Sequence, residues 1–325
     1  MMRNHYCHFA AHKFIFCKRS FLSLAFVVLG ILLSGLLASA QQNGNSPAPP
    51  SNSPPASAPD RPASENAGAL QSPPVPQAKS PEELAAFQAF MNEKEPDARI
   101  LLVEDYLLDF PESELKEFAF QSAAEAYQAK NDFPHVITYG ELALAENKNN
   151  VVALLILATA LTERTERTDP DRDENFEHAK TYAERVLEIL KAMSKPSHLA
   201  DELWTRNRND AEASAYSALG MAFMIREQYD QAESHFRQAV SLAVRPEPVL
   251  HYRLGLACFY ARKYDSALEA LQKSDEQGGV KLANPDGSTR DLVEEAMDFV
   301  IRGRDGWEEP PSDKPLPPPP EPTNQ

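Results

Sequence analysis

Cysteine and glycine are scarce in this sequence of 325 residues, which contains three Cys and 12 Gly. Only Cys258 lies beyond residue 40, so no disulfide can form within that part of the chain. The sequence also lacks the glycine-rich phosphate-binding motifs, the serine-hydrolase motif and the zinc-peptidase motif. These absences argue against an enzyme, and an enzyme of unrecognised class, with acids assembled across the fold, is the minor alternative.

Proline is concentrated in two segments, because 18 of the 27 prolines lie within residues 47–76 and 310–325. The rest of the chain is rich in Ala, Leu and Glu, which favour helix, so a mainly β fold is excluded. Apolar residues recur at helical spacing almost throughout 81–307, in short segments joined by a few residues. We therefore predict an all-α array of antiparallel helix hairpins in this domain.

The N-terminus has the pattern of an export signal. Residues 1–20 contain four basic and no acidic residues, residues 21–38 carry no charge, and Ala38-Ser39-Ala40 follows. This order is typical of a secretory signal peptide, here spanning 1–40, with cleavage before Gln41. We expect an exported protein in the periplasm or outside the cell. The alternative is an uncleaved anchor in the inner membrane, because 18 apolar residues approach the length of a membrane span.

Two proline-rich segments flank the helical domain. Residues 41–80 cannot bury enough apolar surface to order themselves, which predicts a disordered linker. Residues 308–325 form a second such segment, an acidic tail whose polyproline run leaves open a role as a ligand. Loss of the signal would leave 28 basic and 48 acidic residues, a net charge of −20. So acidic a chain repels phosphate backbones, and we expect no nucleic-acid partner.

Two stretches of the sequence repeat at an offset of 35 residues. The first reads Tyr216-x-x-Leu219-Gly220-x-x-Phe223, then Tyr229-Asp230, Ala232 and Phe236; the second reads His251-x-x-Leu254-Gly255-x-x-Cys258, then Tyr264-Asp265, Ala267 and Leu271. The small residues in each stretch would let two helices approach closely, while the large ones fill the seam between them.

This spacing resembles the tetratricopeptide repeat, which has a period of 34 residues. The resemblance is clearest over 211–243 and 247–275, and looser copies extend upstream to about residue 115. It implies a right-handed superhelical array of helix hairpins, with a capping helix at 289–303 that starts at Ser288 or Thr289. The segment at 96–111 also looks like part of an exported repeat protein of this family.

The resemblance further implies a concave groove, lined by the first helix of each hairpin, that binds a protein or peptide partner. On this sequence the groove residues are Ser217, Met221, Met224, Tyr252, Arg253, Leu256, Phe259 and Tyr260. The alternative is that the capping helix covers this surface. A membrane partner is expected only if the N-terminal apolar segment is not cleaved.

No pattern in the sequence indicates a metal or cofactor. Asp169-x-Asp171-x-Asp173 resembles the start of a calcium loop, but Glu174 replaces the required Gly and Lys180 replaces the required Glu. The five histidines beyond residue 40 are scattered. Cys258 occupies a position expected to be buried, where a thiol is inert. We therefore predict a domain without metal, cofactor or catalysis.

Overall fold

The computed structural model describes residues 76–166, 168–197, 199–284 and 287–306. The predicted signal peptide at 1–40 and the predicted tail at 308–325 lie outside these residues, as does most of the predicted linker. Those three assignments stay predictions. No helix among the described residues is both long enough and apolar enough to cross a membrane.

The described part of the chain folds into helices joined by short turns, with one small β-hairpin near its end. The helices are α1 (Pro81–Asn92), α2 (Pro96–Asp109), α3 (Lys116–Ala129), α4 (Phe133–Glu146), α5 (Val151–Arg164), α6 (Arg172–Ala192), α7 (Asp201–Ile225), α8 (Tyr229–Leu242), α9 (Pro248–Tyr260), α10 (Tyr264–Glu276) and α11 (Leu292–Arg304). The strands are β1 (Lys281–Ala283) and β2 (Thr289–Asp291). The predicted all-α fold class is confirmed.

Among the described residues, consecutive helices pair into five hairpins, and α11 follows the last of them. Each hairpin packs on the next, and the first helices of successive hairpins also contact one another, from α1 through α3, α5, α7 and α9 to α11. The first helices therefore form a continuous layer along the array. The predicted array of antiparallel hairpins is confirmed, and this layer is where the groove is expected.

Local capping side chains set where some of the helices begin. The Ser80 side chain accepts a hydrogen bond from the Glu83 backbone N–H at 3.1 Å, and Pro81 follows at the first helical position. Asn150 caps α5 in the same way through the Ala153 backbone N–H. These side chains satisfy N–H groups that a helix leaves without an internal partner.

Three of the hairpins share one turn geometry. Asn131, Glu227 and Arg262 each have a φ close to +60°, the left-handed conformation in which many helices end. In each turn the next residue donates its backbone N–H to a carbonyl five positions earlier, for example from Lys263 to Cys258 at 2.9 Å. The repeat seen in the sequence therefore extends to the backbone of the turns.

Glycine lets the two helices of a hairpin approach closely. A Cβ added to Gly220 would lie 2.7 Å from the Phe236 ring, and one added to Gly255 would lie 2.6 Å from Leu271. Phe236 and Leu271 are fully buried in these seams. The predicted role of the small repeat residues is confirmed.

Between residues 165 and 210 the array departs from the simple repeat. The loop from α5 to α6 is longer than the other turns within hairpins. Helix α7 begins at Asp201, well before the repeat stretch that starts near residue 211. The residues between Asp201 and the repeat stretch therefore lengthen the first helix of the fourth hairpin.

The end of the array differs from the prediction in its detail. The sequence placed a helix at 289–303 with a cap at Ser288 or Thr289, but Thr289 belongs to β2, which pairs antiparallel with β1. The helix starts at Leu292, where the Asp291 side chain accepts from the backbone N–H groups of Val293 and Glu294. Strand pairing holds residues 289–291 extended, so the cap shifts to the next suitable side chain.

Candidate functional site

A cavity of about 410 Å³ lies where the first helices α5, α7 and α9 meet. The connection from α8 to α9 forms its fourth side. Its lining residues are Thr159, Thr162, Arg206, Asp210, Ala213, Ser214, Ser217, Ala218, Met221, Ala243, Val244, Arg245, Glu247, Val249, Leu250 and Arg253. Residues from three successive hairpins therefore line the cavity.

The lining combines an apolar surface with hydroxyl and charged groups. Ala213, Ala218 and Met221 are buried apolar residues of α7, and they face Val249 and Leu250 of α9. Hydroxyl groups come from Thr159 and Thr162 on α5 and from Ser214 and Ser217 on α7. Such a surface can hold the aliphatic part of a ligand while a few polar groups fix its orientation.

A buried ion pair joins the lining residue Arg253 to Glu163, which lies outside the cavity lining. Arg253 Nη2 lies 3.0 Å from Glu163 Oε1, and the two side chains are only 11% and 4% exposed. Arg253 Nη1 also lies 3.5 Å from the Ser217 hydroxyl. The pair joins residues 90 positions apart and links α5 of the third hairpin to α9 of the fifth, past α7 of the fourth.

Burial leaves the Glu163 carboxyl only partly satisfied. Its Oε2 atom is buried and has no hydrogen-bond partner among the described residues. Burial raises the pKa of Glu163, while the positive charge of Arg253 acts in the opposite direction. An unpaired acceptor at this depth is costly unless a donor reaches it.

A second carboxylate, that of Glu247, lies near the same arginine without forming an ion pair with it. Glu247 precedes α9 and lines the cavity, but its side chain does not cap the helix. Burial raises the pKa of Glu247, and Arg253 again opposes the shift. The pair of Arg206 and Asp210 lies at 3.9 Å on α7, and Arg245 is exposed.

The groove residues predicted from the sequence separate into two groups. Ser217, Met221 and Arg253 line the cavity. The remaining members, which lie elsewhere, are Met224, Tyr252, Leu256, Phe259 and Tyr260. Met221 is 1% exposed and Met224 is 7% exposed, so both belong to the core in the free protein. Partner contact at these eight residues stays a prediction.

The capping helix covers part of the predicted groove. A Cβ added to Gly303 of α11 would lie 3.1 Å from the Phe259 ring, so the two are in close contact. Burial and the nearby charge of Glu295, also on α11, raise the pKa of Tyr252 to about 12. Tyr260 stacks on Tyr229 with ring centroids 5.0 Å apart. This surface matches the alternative in which α11 packs against α9.

The remaining sequence candidates occupy separate places. Cys258 is fully buried as predicted, and burial raises the pKa of its thiol to about 12. Asp169 accepts from the Glu166 backbone N–H, whereas Asp173 pairs with Arg226 at 2.8 Å. Within residues 76–306, leaving out the few that the structure does not describe, no three His, Cys, Asp or Glu side chains are grouped to hold a metal ion.

Sequence reasoning missed two carboxylates at this site: Glu247, which lines the cavity, and Glu163, which pairs with the lining residue Arg253. The available signal was the run Thr159, Thr162 and Glu163, polar residues on one face of an otherwise apolar helix. A polar stripe on a buried helix needs partners from another element. The sequence does not show that the partner is Arg253.

No family model matches the chain. Human tetratricopeptide repeat protein 13 is 26% identical to it over 141 residues, which are 43% of this chain and 15% of that protein. The match therefore spans a small fraction of the length of this curated relative.

Solved structures give further similarities at low identity. A tetratricopeptide protein of Thermus thermophilus aligns with a TM-score of 0.45 and 15% identity, over 67% of this chain and 98% of that one. PilF of Pseudomonas aeruginosa aligns with a TM-score of 0.46 and 16% identity, over 69% of this chain and 86% of that one.

The helix pairing, the repeated seam residues and the shared turns all come from the chain itself. The sequence match to a tetratricopeptide repeat protein agrees with them. The described part of the chain is therefore a tetratricopeptide-like array of helix hairpins.

Proposed function

We propose that this chain is an exported protein-interaction module without catalysis, which binds a segment of a protein partner between α5, α7 and α9. The observation that supports this function most directly is the cavity itself. It lies in the layer of first helices, and its volume is within the range of about 300–1,000 Å³ usual for binding pockets. Three residues predicted to bind a partner line it.

The mixed lining favours a polypeptide segment as the ligand. Its apolar residues offer contact area for side chains, and its hydroxyl and charged groups can bind polar atoms of a peptide. Val244, on the rim, is 54% exposed, so an apolar side chain is open to a partner at the entrance. Buried apolar contacts supply most of the energy in such interfaces.

Site-specific photocrosslinking tests the proposed function. With a photoreactive residue at Val244, we expect a protein partner to be captured from the native cell fraction. The same residue at Leu101, which is 61% exposed on α2, serves as the control and should not capture that partner. Filling the cavity by Ser214→Trp should abolish the capture at Val244. Equal capture at both positions, or capture that survives the filled cavity, would contradict the proposal.

Export is the second part of the proposal, and it rests on the sequence pattern of residues 1–40. N-terminal sequencing of the protein from its native host should give Gln41 as the first residue. An intact N-terminus found in the membrane fraction would instead support the alternative, a membrane-anchored assembly factor tethered by residues 41–80.

A further inference from the structure

Four aromatic side chains form a cluster at the last hairpin, apart from the cavity. Tyr260 stacks on Tyr229 with ring centroids 5.0 Å apart, and Phe259 lies 5.2 Å from Tyr260 and 6.2 Å from Tyr264. All four side chains are half-buried, so each ring keeps part of its surface open to solvent. These residues, here called the aromatic cluster, therefore offer a ring surface on which another segment can pack.

Helix α11 ends beside the aromatic cluster. A Cβ added to Gly303, in the last turn of α11, would lie 3.1 Å from the Phe259 ring and 3.3 Å from the Tyr264 ring. The tail at 308–325 follows this turn directly, and its polyproline run begins nine residues after Gly306. Nine residues span up to about 30 Å when extended, so the run at 315–320 is within reach of all four rings.

The composition of the tail matches such a surface. Eight prolines lie within 310–325, and four of them are consecutive at 317–320. Proline fixes φ, so a segment of this kind favours the polyproline II helix and loses little entropy when it binds. Surfaces lined by aromatic rings are the usual binding sites of polyproline II segments.

We propose that the tail of this chain packs back onto the aromatic cluster, with the run at 315–320 against the rings of Tyr229 and Tyr260. The inference does not depend on the proposed partner site at the cavity. The tail then shields Phe259 and Tyr260, two of the residues predicted to bind a partner. It acts as an internal competitor for any external proline-rich segment.

The linker at 41–80 is a second proline-rich segment, but the structure favours the tail. The linker leads into α1 of the first hairpin, whereas the aromatic cluster lies on α8, α9 and α10 beside α11. Its prolines also occur in runs of at most two, so it contains no stretch comparable to 317–320. Proximity and composition therefore select the same segment.

Charge does not decide the contact. Arg262 and Lys263 adjoin the aromatic cluster, but Lys263 already pairs with Asp230 and Glu233 at 2.6 Å. The exposed acid Asp265 lies in the same turn region. Apolar packing on the rings should therefore supply the affinity, and salt should change it little, because screening acts on exposed charges.

Photocrosslinking within the full chain tests where the tail lies. With a photoreactive residue at Leu316, we expect crosslinks, mapped by mass spectrometry, to residues 225–265 of the same chain. The same residue at Val75, in the linker, is the control and should not give them. An equimolar mixture of unlabelled and ¹⁵N-labelled chains separates crosslinks within one chain from those between chains. Crosslinks only between chains, only to other segments, or equally from Val75 would overturn the proposal.

A competition experiment measures the same contact without a photoreactive group. A fluorescent peptide of residues 310–325 is titrated with the full chain and with a variant in which the five prolines of 315–320 are replaced by alanine. The peptide should bind the variant about tenfold more tightly, since a tethered tail occupies its site at an effective concentration of mM order. Equal binding to both chains, or no binding to the variant at about 1 mM, a very weak affinity, would contradict the proposal.

Substitutions in this proline-free variant locate the peptide site. Tyr260→Ala, and separately Tyr229→Ala from the neighbouring helix, should each weaken peptide binding at least tenfold, on the scale of a lost aromatic contact. The matched control is Tyr139→Ala, which removes a ring from another half-buried stacked pair, that of Tyr127 and Tyr139 at 5.3 Å. It should leave peptide binding unchanged, and thermal unfolding checks the fold of all three.

Two results would assign the contact to another cause. Equal weakening by Tyr139→Ala would mean that general destabilisation acts and that the aromatic cluster is not the site. A steep fall in peptide affinity between about 50 and 300 mM salt would mean that the acids of the tail bind, and packing of its prolines on the rings would be wrong. Neither result bears on the crosslink at Val244, which tests the proposed interaction function separately.

Discussion

Replacing Phe236 by alanine should lower the free energy of unfolding by about 3–5 kcal/mol. The Phe236 ring is fully buried between α7 and α8, against the backbone of Gly220. Its removal deletes a large apolar group and leaves a cavity that two packed helices fill poorly. Urea unfolding followed by circular dichroism measures the loss. Leu108→Ala, at a side chain 78% exposed on α2, is the control and should change stability by less than about 0.5 kcal/mol.

A second substitution tests whether Gly220 and Phe236 are coupled through their close approach in the seam between α7 and α8. Gly220→Ala places a methyl group 2.7 Å from the Phe236 ring, and such overpacking costs about 1–3 kcal/mol, partly offset by a helix propensity gain of about 1 kcal/mol. In the Phe236→Ala background the methyl group has room, so the same change should be neutral or stabilising. Additive effects of the two substitutions would show that the seam is not the source of the destabilisation.

The hairpins could be predicted from the sequence because their determinants are close together in the chain. Ser80 and Pro81 mark the start of α1 through one capping hydrogen bond and one fixed φ. The seam of Gly220 with Phe236 lies within 16 residues, so one repeat contains both members. Signals of this kind depend on local geometry alone, which is why the repeats recognised over 211–243 and 247–275 correspond to two hairpins of the structure, although α7 begins earlier, at Asp201.

The last helix shows where local signals fail. Ser288, Thr289 and Asp291 are all residues that cap helices well, so sequence cannot rank them. The pairing of β2 with β1 decides among them, because residues held in a strand cannot also begin a helix. That pairing depends on a contact between two strands across the intervening turn. The helical spacing of apolar residues in the sequence does not indicate such a contact.

The cavity was predictable in part for the same reason. Ser217 and Met221 lie four residues apart on one face of α7, so helical spacing alone places them together. Glu163 meets Arg253 only because three hairpins pack on one another, which brings α5 and α9 to within reach of this ion pair. The sequence shows the repeat, but it does not show which side chains of separate hairpins meet.

Replacing Arg253 by methionine should also lower the free energy of unfolding by about 3–5 kcal/mol. Methionine keeps much of the aliphatic volume but leaves the Glu163 carboxylate, 4% exposed, without its counter-charge. Breaking one side of a buried pair costs more than the pair itself contributes, because the remaining charge stays desolvated. Arg245→Met is the matched control, since Arg245 is exposed on the rim of the same cavity and its loss should cost little.

The pH dependence of this loss identifies Glu163 as its source. Burial raises the pKa of Glu163 in the folded protein, and without Arg253 nothing opposes that shift. The penalty is therefore fully present only above the raised pKa, and it is relieved as the pH falls through that pKa towards the unfolded value of about 4.3, because the folded protein then takes up a proton. The stability gap between Arg253→Met and the unsubstituted protein should narrow over this range.

Adding Glu163→Met removes the buried charge, so the double variant should recover most of the loss at neutral pH. A gap that is constant with pH, together with no recovery in the double variant, would mean that packing by the Arg253 stem stabilises the array and that the ion pair does not.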